Sequence, residues 1–209
     1  ADLVWMKTAD FDYALPPELI AQRPAPDRDG ARMLVLDRAS GARQHRAVRD
    51  LPAFLRAGDA LVLNDSRVIP ARLFGHKDAT GGRVEVLFLE EEQPGLWLAL
   101  YKAAGGARPG ARFRSPSGRI RGELVDRAPE GRVRLRVASD GPFLEALEAE
   151  GAPPLPPYIR RPRGAGAADS AQRAADRERY QTVFAPQAGS VAAPTAGLHF
   201  SRPLLEAVQ

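Results

Sequence analysis

Hydrophobic and polar positions change texture twice along this chain. In the first stretch, helical and strand signals alternate. PPELIAQ (16–22) predicts a short helix with proline in its first turn, and ARMLVLDR (31–38) predicts a strand bounded by Gly30 and a polar RASG. DLPAFLRAG (50–58) predicts a helix with Asp50 as N-cap and Gly58 as its stop, and DALVLNDS (59–66) predicts a buried strand. Strands alternating with helices imply an α/β layer.

From about Val68 the pattern becomes a run of short strands: ARLFGHK, GRVEVLFLEE, LWLALYKAA, ARFRS, RIRGELVDR and GRVRLRVAS. Only the turn signals TGGR, RPGA, SPSG and PEGR separate them, which predicts an antiparallel barrel or sandwich ending near Ser139. GPFLEALEAEG (141–151) predicts a helix with Pro142 near its start and Gly151 as its stop. APPLPPYIRRPRGAGAADS then predicts an extended, pinned segment, because proline can neither donate to a ladder nor sit inside a helix. DSAQRAADRERYQTVF (169–184) predicts a helix with Asp169 and Gln172 placed as a capping box, and SRPLLEAVQ a further helix capped by Ser201. The segment GSVAAPTAGLHF (189–200) is too small-residued for a core strand and too rich in Gly and Pro for a stable helix. The plan is an α/β layered domain in two parts, 6–67 and 153–209, with a β-rich domain of 68–152 inserted between them. The last helix stops as its apolar face begins, so the second part is expected to be incomplete, and Met6 is expected to be the natural start.

Composition narrows the classes. A hydrophobic fraction of 44% supports a packed core, and a net charge of +4 permits a polyanionic partner without requiring one. Absence of cysteine removes disulfides and thiolate metal sites, and three separated histidines without an HExxH spacing argue against a zinc enzyme. No apolar run suits a membrane span, and ADLVWMK does not resemble a secretion signal, so the expected compartment is the cytoplasm.

Four constellations could carry chemistry. LVLNDSRVIPARL (61–73) sets Asn64, Asp65 and Ser66 past an apolar run, followed by Arg67 and Arg72. Ligands of open α/β sheets bind at such strand ends, although Asn, Asp and Ser are also ordinary turn formers. RVRLRV puts Arg132, Arg134 and Arg136 on one strand face, and RFR and RIR do the same at Arg112/Arg114 and Arg119/Arg121. Such a face suits a phosphate backbone, or simply the solvated side of a half-buried sheet. YIRRPR and DRERYQ bring arginines beside Tyr158 and Tyr180, as single-stranded RNA loops need, or as a salt-bridged helix and basic loop would. In GSVAAPTAGLHF the small residues allow close approach to the backbone, and Ser190, Thr195 and His199 can hydrogen-bond or move protons; a lone histidine beside Phe200 also suits a structural role. GAGAAD (164–169) is not a dinucleotide fingerprint, since it follows a Pro/Arg loop rather than a strand.

The strings DFDYALPPELIAQRP, LVLNDSRVIPARL, PLPPYIRRP, DRERYQTVFA and GSVAAPTAGLHF occur in this order, and together they resemble the S-adenosylmethionine:tRNA ribosyltransferase-isomerase family of queuosine biosynthesis from Met6 to Gln209. The resemblance implies an α/β domain interrupted by an inserted antiparallel β-barrel, with the C-terminal part of the α/β domain absent here. It implies an enzyme that moves and isomerises the ribosyl group of S-adenosylmethionine onto 7-aminomethyl-7-deazaguanine at the tRNA wobble position, releasing adenine and methionine. S-adenosylmethionine is consumed as a substrate, and no metal or other cofactor is implied. On chemistry and motif membership, His199, Tyr180 and Asp65 are candidate proton carriers. Asn64, Arg67, Arg72, Ser190, Thr195 and Gly197 are candidate substrate contacts. Tyr158, Arg160, Arg179, Gln181, Arg132 and Arg134 are candidate RNA contacts. The expected partners are the modified tRNA and S-adenosylmethionine, with no membrane and a monomeric state. The alternative is an RNA-binding module without turnover, or an inactive fragment. The strand-end polar groups and the histidine-bearing stretch are expected to share one pocket.

Overall fold

A computed structural model of the chain describes residues 6–161 and 167–209. The stretch before Met6 and residues 162–166, which include the start of GAGAAD, lie outside the described residues.

The first part is made of short pieces. Strand β1 (Arg32–Leu36) forms where an apolar run was read, and pairs antiparallel with β2 (Arg43–Ala47). The charged sequence RQHRA hid β2; the turn between the strands is built by Asp37, whose carboxylate accepts from Ser40 N (2.7 Å) and Ser40 Oγ (2.7 Å), and by Gly41 at φ +70°. Two expected α-helices are 3-10 turns instead, at Pro17–Leu19 and Val48–Phe54. In the second, Pro52 removes a backbone donor that an α-helix would use. Asp50 is not an N-cap: it is the third residue of its turn and its carboxylate accepts from Ala47 N at 2.9 Å. The expected strand 59–66 is also corrected. Only β3 (Ser66–Val68) is laddered, and Leu61, Val62 and Leu63 are exposed, Val62 by 91%.

The middle of the chain is a closed antiparallel barrel in the order β4-β5-β6-β9-β8-β7. Its strands are β4 (Arg72–Lys77), β5 (Arg83–Gln93), β6 (Leu96–Ala103), β7 (Arg112–Arg114), β8 (Ile120–Arg127) and β9 (Arg132–Ser139). Period-two alternation drives the closure: Val84, Val86, Phe88, Phe113, Leu124, Val133 and Leu135 point inward and are buried, while their charged neighbours face water. Helix α1 (Phe143–Glu150) then covers the barrel, with Phe143 against Phe88 and Trp97 at ring separations of 5.1 and 5.0 Å and with Ala146 and Leu147 fully buried. Two interior glycines permit close approach: a Cβ on Gly122 would stand 2.3 Å from the Phe113 ring, and one on Gly151 would stand 2.0 Å from the Pro70 carbonyl oxygen. The chain leaves the barrel beside where it enters, since Arg72 and Ala152 exchange backbone hydrogen bonds of 3.1 and 2.8 Å.

Helix α2 (Ala167–Arg179) begins before Asp169, so that residue lies inside the helix and the expected capping box does not form; the helix also stops short of Phe184. Strand β10 (Gln187–Ser190) follows, then a 3-10 turn at Thr195–His199, so the small-residue segment is part strand and part turn. Helix α3 (Arg202–Ala207) is capped as read, Ser201 Oγ accepting from Leu204 N at 3.2 Å. The architecture is an α/β part with an inserted six-stranded barrel.

Candidate functional site

The parallel pairing of β3 with β10 joins segments far apart in sequence, with Gln187 opposite Ser66, Ala188 opposite Arg67 and Ser190 opposite Val68 across a register shift. Ile69 N donates to Ser190 O at 2.9 Å. The Asn-Asp-Ser strand start and the beginning of GSVAAPTAGLHF are therefore neighbours. Asn64 Oδ1 accepts from Ser66 N (2.9 Å) and shapes the entry to β3, while Asp65 and Arg67 are exposed.

The open edge of β3 is closed by a side chain. Val68 N donates to Gln181 Oε1 (3.0 Å) and Gln181 Nε2 donates to Val68 O (2.5 Å), so the amide of Gln181 imitates a neighbouring strand. Arg72 is likewise engaged: Nη1 donates to Glu85 Oε1 (2.9 Å) and Nη2 to Leu155 O (3.0 Å). Its guanidinium and Tyr158 both lie near enough to Tyr180 to bear on its titration, but burial is the larger influence and raises the Tyr180 pKa. A phenol held protonated in this way is a donor rather than a base at neutral pH. A groove of about 400 Å³ runs past Arg67, Glu148, Arg177 and Tyr180, and continues into a second of about 580 Å³ along α1 through Arg67, Ile69, Pro70 and Glu148. Neither Asp65 nor His199 lines these grooves, so the two segments meet as adjacent strands rather than as walls of either groove.

His199 ends its 3-10 turn with Nδ1 3.4 Å from Arg28 O. In the same loop Ser190 Oγ donates to Ala192 O (2.7 Å) and Thr195 Oγ1 to Ala193 O (3.4 Å). Gly197 sits close under Phe184 and Thr182, where a Cβ would meet both at 3.1 Å. Among the RNA candidates, Tyr158 and Arg160 are exposed. Arg179 instead donates to Pro26 O (3.0 Å) and to Ala25 O. On β9, Arg132 pairs with Glu130, and Arg134 with Glu92 (2.7 Å) and Asp126 (3.2 Å); Arg136 is exposed and makes no ion pair among the described residues.

Several positioning residues escaped the sequence reading. Arg161 grips Asp176 in two-pronged fashion (2.7 and 2.9 Å), which holds the Arg161 pKa above its usual value, and Gln22 ties itself to Tyr158 O (3.0 Å) and Arg160 N (2.7 Å). Arg28 and Asp29 reach Leu198 and Ser201. No spacing rule links such pairs; Gln22, Arg161 and Asp176 lie in the quoted strings, whereas Arg28 and Asp29 lie in none and carried no signal. Among the described residues, no group of His, Asp and Glu converges as a metal site would require, and no helix is long and apolar enough to cross a membrane.

The sequence model of the family described as Queuosine biosynthesis protein matches residues 8–209. The S-adenosylmethionine:tRNA ribosyltransferase-isomerase of Pelobacter propionicus is 50% identical over 204 residues, covering 96% of this chain and 56% of that protein. The protein of the same name from Acetivibrio thermocellus is 44% identical over 201 residues, covering 96% and 56%. A solved S-adenosylmethionine tRNA ribosyltransferase from Thermotoga maritima is 27% identical, covering 94% of this chain and 52% of that one, with a TM-score of 0.32. The chain thus spans a little over half the length of the curated relatives it matches. On the strength of a match running along nearly all of it, this chain belongs to the queuosine biosynthesis protein family.

Proposed function

We propose that the chain works in a ribosyltransferase-isomerase that transfers and isomerises the ribosyl group of S-adenosylmethionine onto 7-aminomethyl-7-deazaguanine in the tRNA wobble position, giving epoxyqueuosine and releasing adenine and methionine. The observation that carries this reading is the family match over residues 8–209, together with relatives of 44% and 50% identity that are named S-adenosylmethionine:tRNA ribosyltransferase-isomerase.

The chemistry asks for particular groups. The sulfonium acidifies the adjacent C5′ hydrogens, and a base removes one to leave a carbanion. Adenine leaves C1′ with a proton supplied to its ring, and the neutral aminomethyl nitrogen bonds to C1′ and gives up a proton. The C1′–O4′ bond then opens, the C5′ carbanion adds to C1′ to form the carbocycle, and the freed O4′ displaces methionine from C5′ to close the epoxide. His199 is our first proton carrier, because an imidazole takes and returns a proton near neutrality. Tyr180, protonated through burial, suits the donor role, and the exposed Asp65 carboxylate an acceptor role. Arg67 is the stronger candidate for the methionine carboxylate or a phosphate, since Arg72 already holds Glu85. Asn64, Ser190, Thr195 and Gly197 would contribute polar groups and close backbone approach to the nucleoside. Tyr158 and Arg160 offer a ring and a cation to the anticodon loop. Arg179 and Gln181 would serve by holding the main chain behind them, and Arg132 and Arg134 would reach phosphate only by loosening their acidic partners.

The test is to incubate the chain with S-adenosylmethionine and tRNA carrying the 7-aminomethyl base. Free adenine is expected, equal in amount to tRNA modified, and absent with unmodified tRNA. In an active chain His199→Ala should lower that release by about 100- to 10,000-fold. Tight tRNA binding without adenine would establish a binding module and overturn the proposal, and so would a chain that does neither.

A further inference from the structure

Residues 25–29 and the end of α2 hold one another through two crossed arginines. Arg28 Nη2 donates to Glu178 O (2.9 Å), and its Nη1 faces both Leu198 O (3.1 Å) and Arg179 O (3.4 Å). Arg179 answers by donating to Pro26 O and Ala25 O. The carbonyls at a helix C-terminus lack intrahelical donors and carry partial negative charge, so a guanidinium fork fits there. The next residue extends the hold: Ser201 Oγ donates to Asp29 Oδ2 (2.6 Å) while accepting from Leu204 N. Two consecutive residues therefore fix the histidine stretch on both sides of His199, at Leu198 O and at Ser201 Oγ.

Between those anchors, the carbonyl of Arg28 faces His199 Nδ1 at 3.4 Å. A carbonyl only accepts, so this contact places the proton of a neutral imidazole on Nδ1 and leaves the lone pair on Nε2. Free imidazole side chains in water prefer the opposite tautomer. The position of the Arg28 carbonyl depends in turn on its side chain, which is partly buried and anchored to three carbonyls of two other elements. Burial, followed by the nearby Arg179 charge, depresses the Arg28 pKa, while Glu178 opposes them.

We propose that Arg28 is a positioning residue for His199: its guanidinium locks the α2 end and Leu198 in place, so that its own carbonyl holds the ring with Nδ1 protonated and Nε2 open to accept a proton. This rests on the reading of His199 as proton carrier, but its test does not. The chain is labelled with nitrogen-15 in histidine, and the ring tautomers are read by long-range proton–nitrogen correlation above the titration range. Exposed His45 and His76 serve as internal references. In the unsubstituted chain His199 should show a protonated Nδ1. In Arg28→Met its signals should invert to the Nε2–H form while His45 and His76 stay unmoved. Arg28→Lys should fall between, since an ammonium reaches fewer of the three carbonyls.

An Nε2–H form of His199 in the unsubstituted chain overturns the proposal without any variant, so a variant that fails to fold leaves the decision intact. An unchanged tautomer in folded Arg28→Met also overturns it, even where adenine release falls. Full turnover by His199→Ala would remove the proton-carrier reading and leave the tautomer result standing.

Discussion

Replacing Gln181 by leucine separates a scaffold role from an RNA-contact role. Val68 is only 3% exposed, and the Gln181 amide is the partner of both its N–H and its C=O. Ile69 N carries the ladder bond to Ser190, so the alternate residue, Val68, turns its backbone groups to the open edge. Leucine keeps the volume and strands both groups. A stranded buried donor or acceptor costs about 1–3 kcal/mol, and at a strand edge the lower half of that range applies, so the pair costs about 2–4 kcal/mol. At tenfold per 1.4 kcal/mol, exchange of the Val68 amide hydrogen should accelerate by about 30- to 700-fold. Gln181→Glu, which retains the acceptor for Val68 N–H but faces a carbonyl with a carboxylate, should lie between. Amide exchange followed by NMR reads both without tRNA. Exchange in Gln181→Leu within about threefold of the unsubstituted chain would refute the strand-substitute account, because a side chain serving only RNA would leave Val68 unmoved.

Asp176→Ala should destabilise the docking of α2 by about 3–5 kcal/mol, since it leaves Arg161, 23% exposed at its side chain, without its counter-charge; loss of exchange protection across α2 is the readout. Gly122→Ala should cost the barrel about 1–3 kcal/mol or more by driving a methyl into the Phe113 ring, seen in urea unfolding followed by Trp97 fluorescence. Asp37 titrates below its ordinary value because of hydrogen bonds from the Ser40 side chain and backbone, so its contribution is present above the unfolded pKa and disappears as pH falls through the folded one; Ser40→Ala should move its carboxyl titration upward by NMR. Replacing Arg132, Arg134 and Arg136 by glutamine should change the salt slope of tRNA affinity by about one phosphate, roughly 0.7–0.9, since two of the three already hold carboxylates; a change near zero or near threefold that size would contradict this.

The run of antiparallel strands was legible because its determinants are local, whereas the pattern left barrel and sandwich open: closure rests on β6–β9 and β4–β7, which are not neighbours in sequence. Alternation in GRVEVLFLEE and GRVRLRVAS decides which side chains face inward, glycine turns decide where strands reverse, and such neighbours pair whatever else the chain does. The Gly151 stop and the Ser201 cap are local too, each set by the backbone needs of one helix end. LVLNDS was misread because a strand of an α/β layer is buried only when distant segments cover it. Here β10 reaches only Ser66–Val68, and Val62 is left to solvent. The motif strings marked which segments matter but not what their side chains hold. Gln181 on Val68, Arg72 on Glu85, and Arg28 on Leu198 are choices made between segments 13 to 170 residues apart. No periodicity records such contacts: Arg72 meets Glu85 only once β4 and β5 have paired in register, and the other two exist only once the end of α2 lies against β3 and residues 25–29.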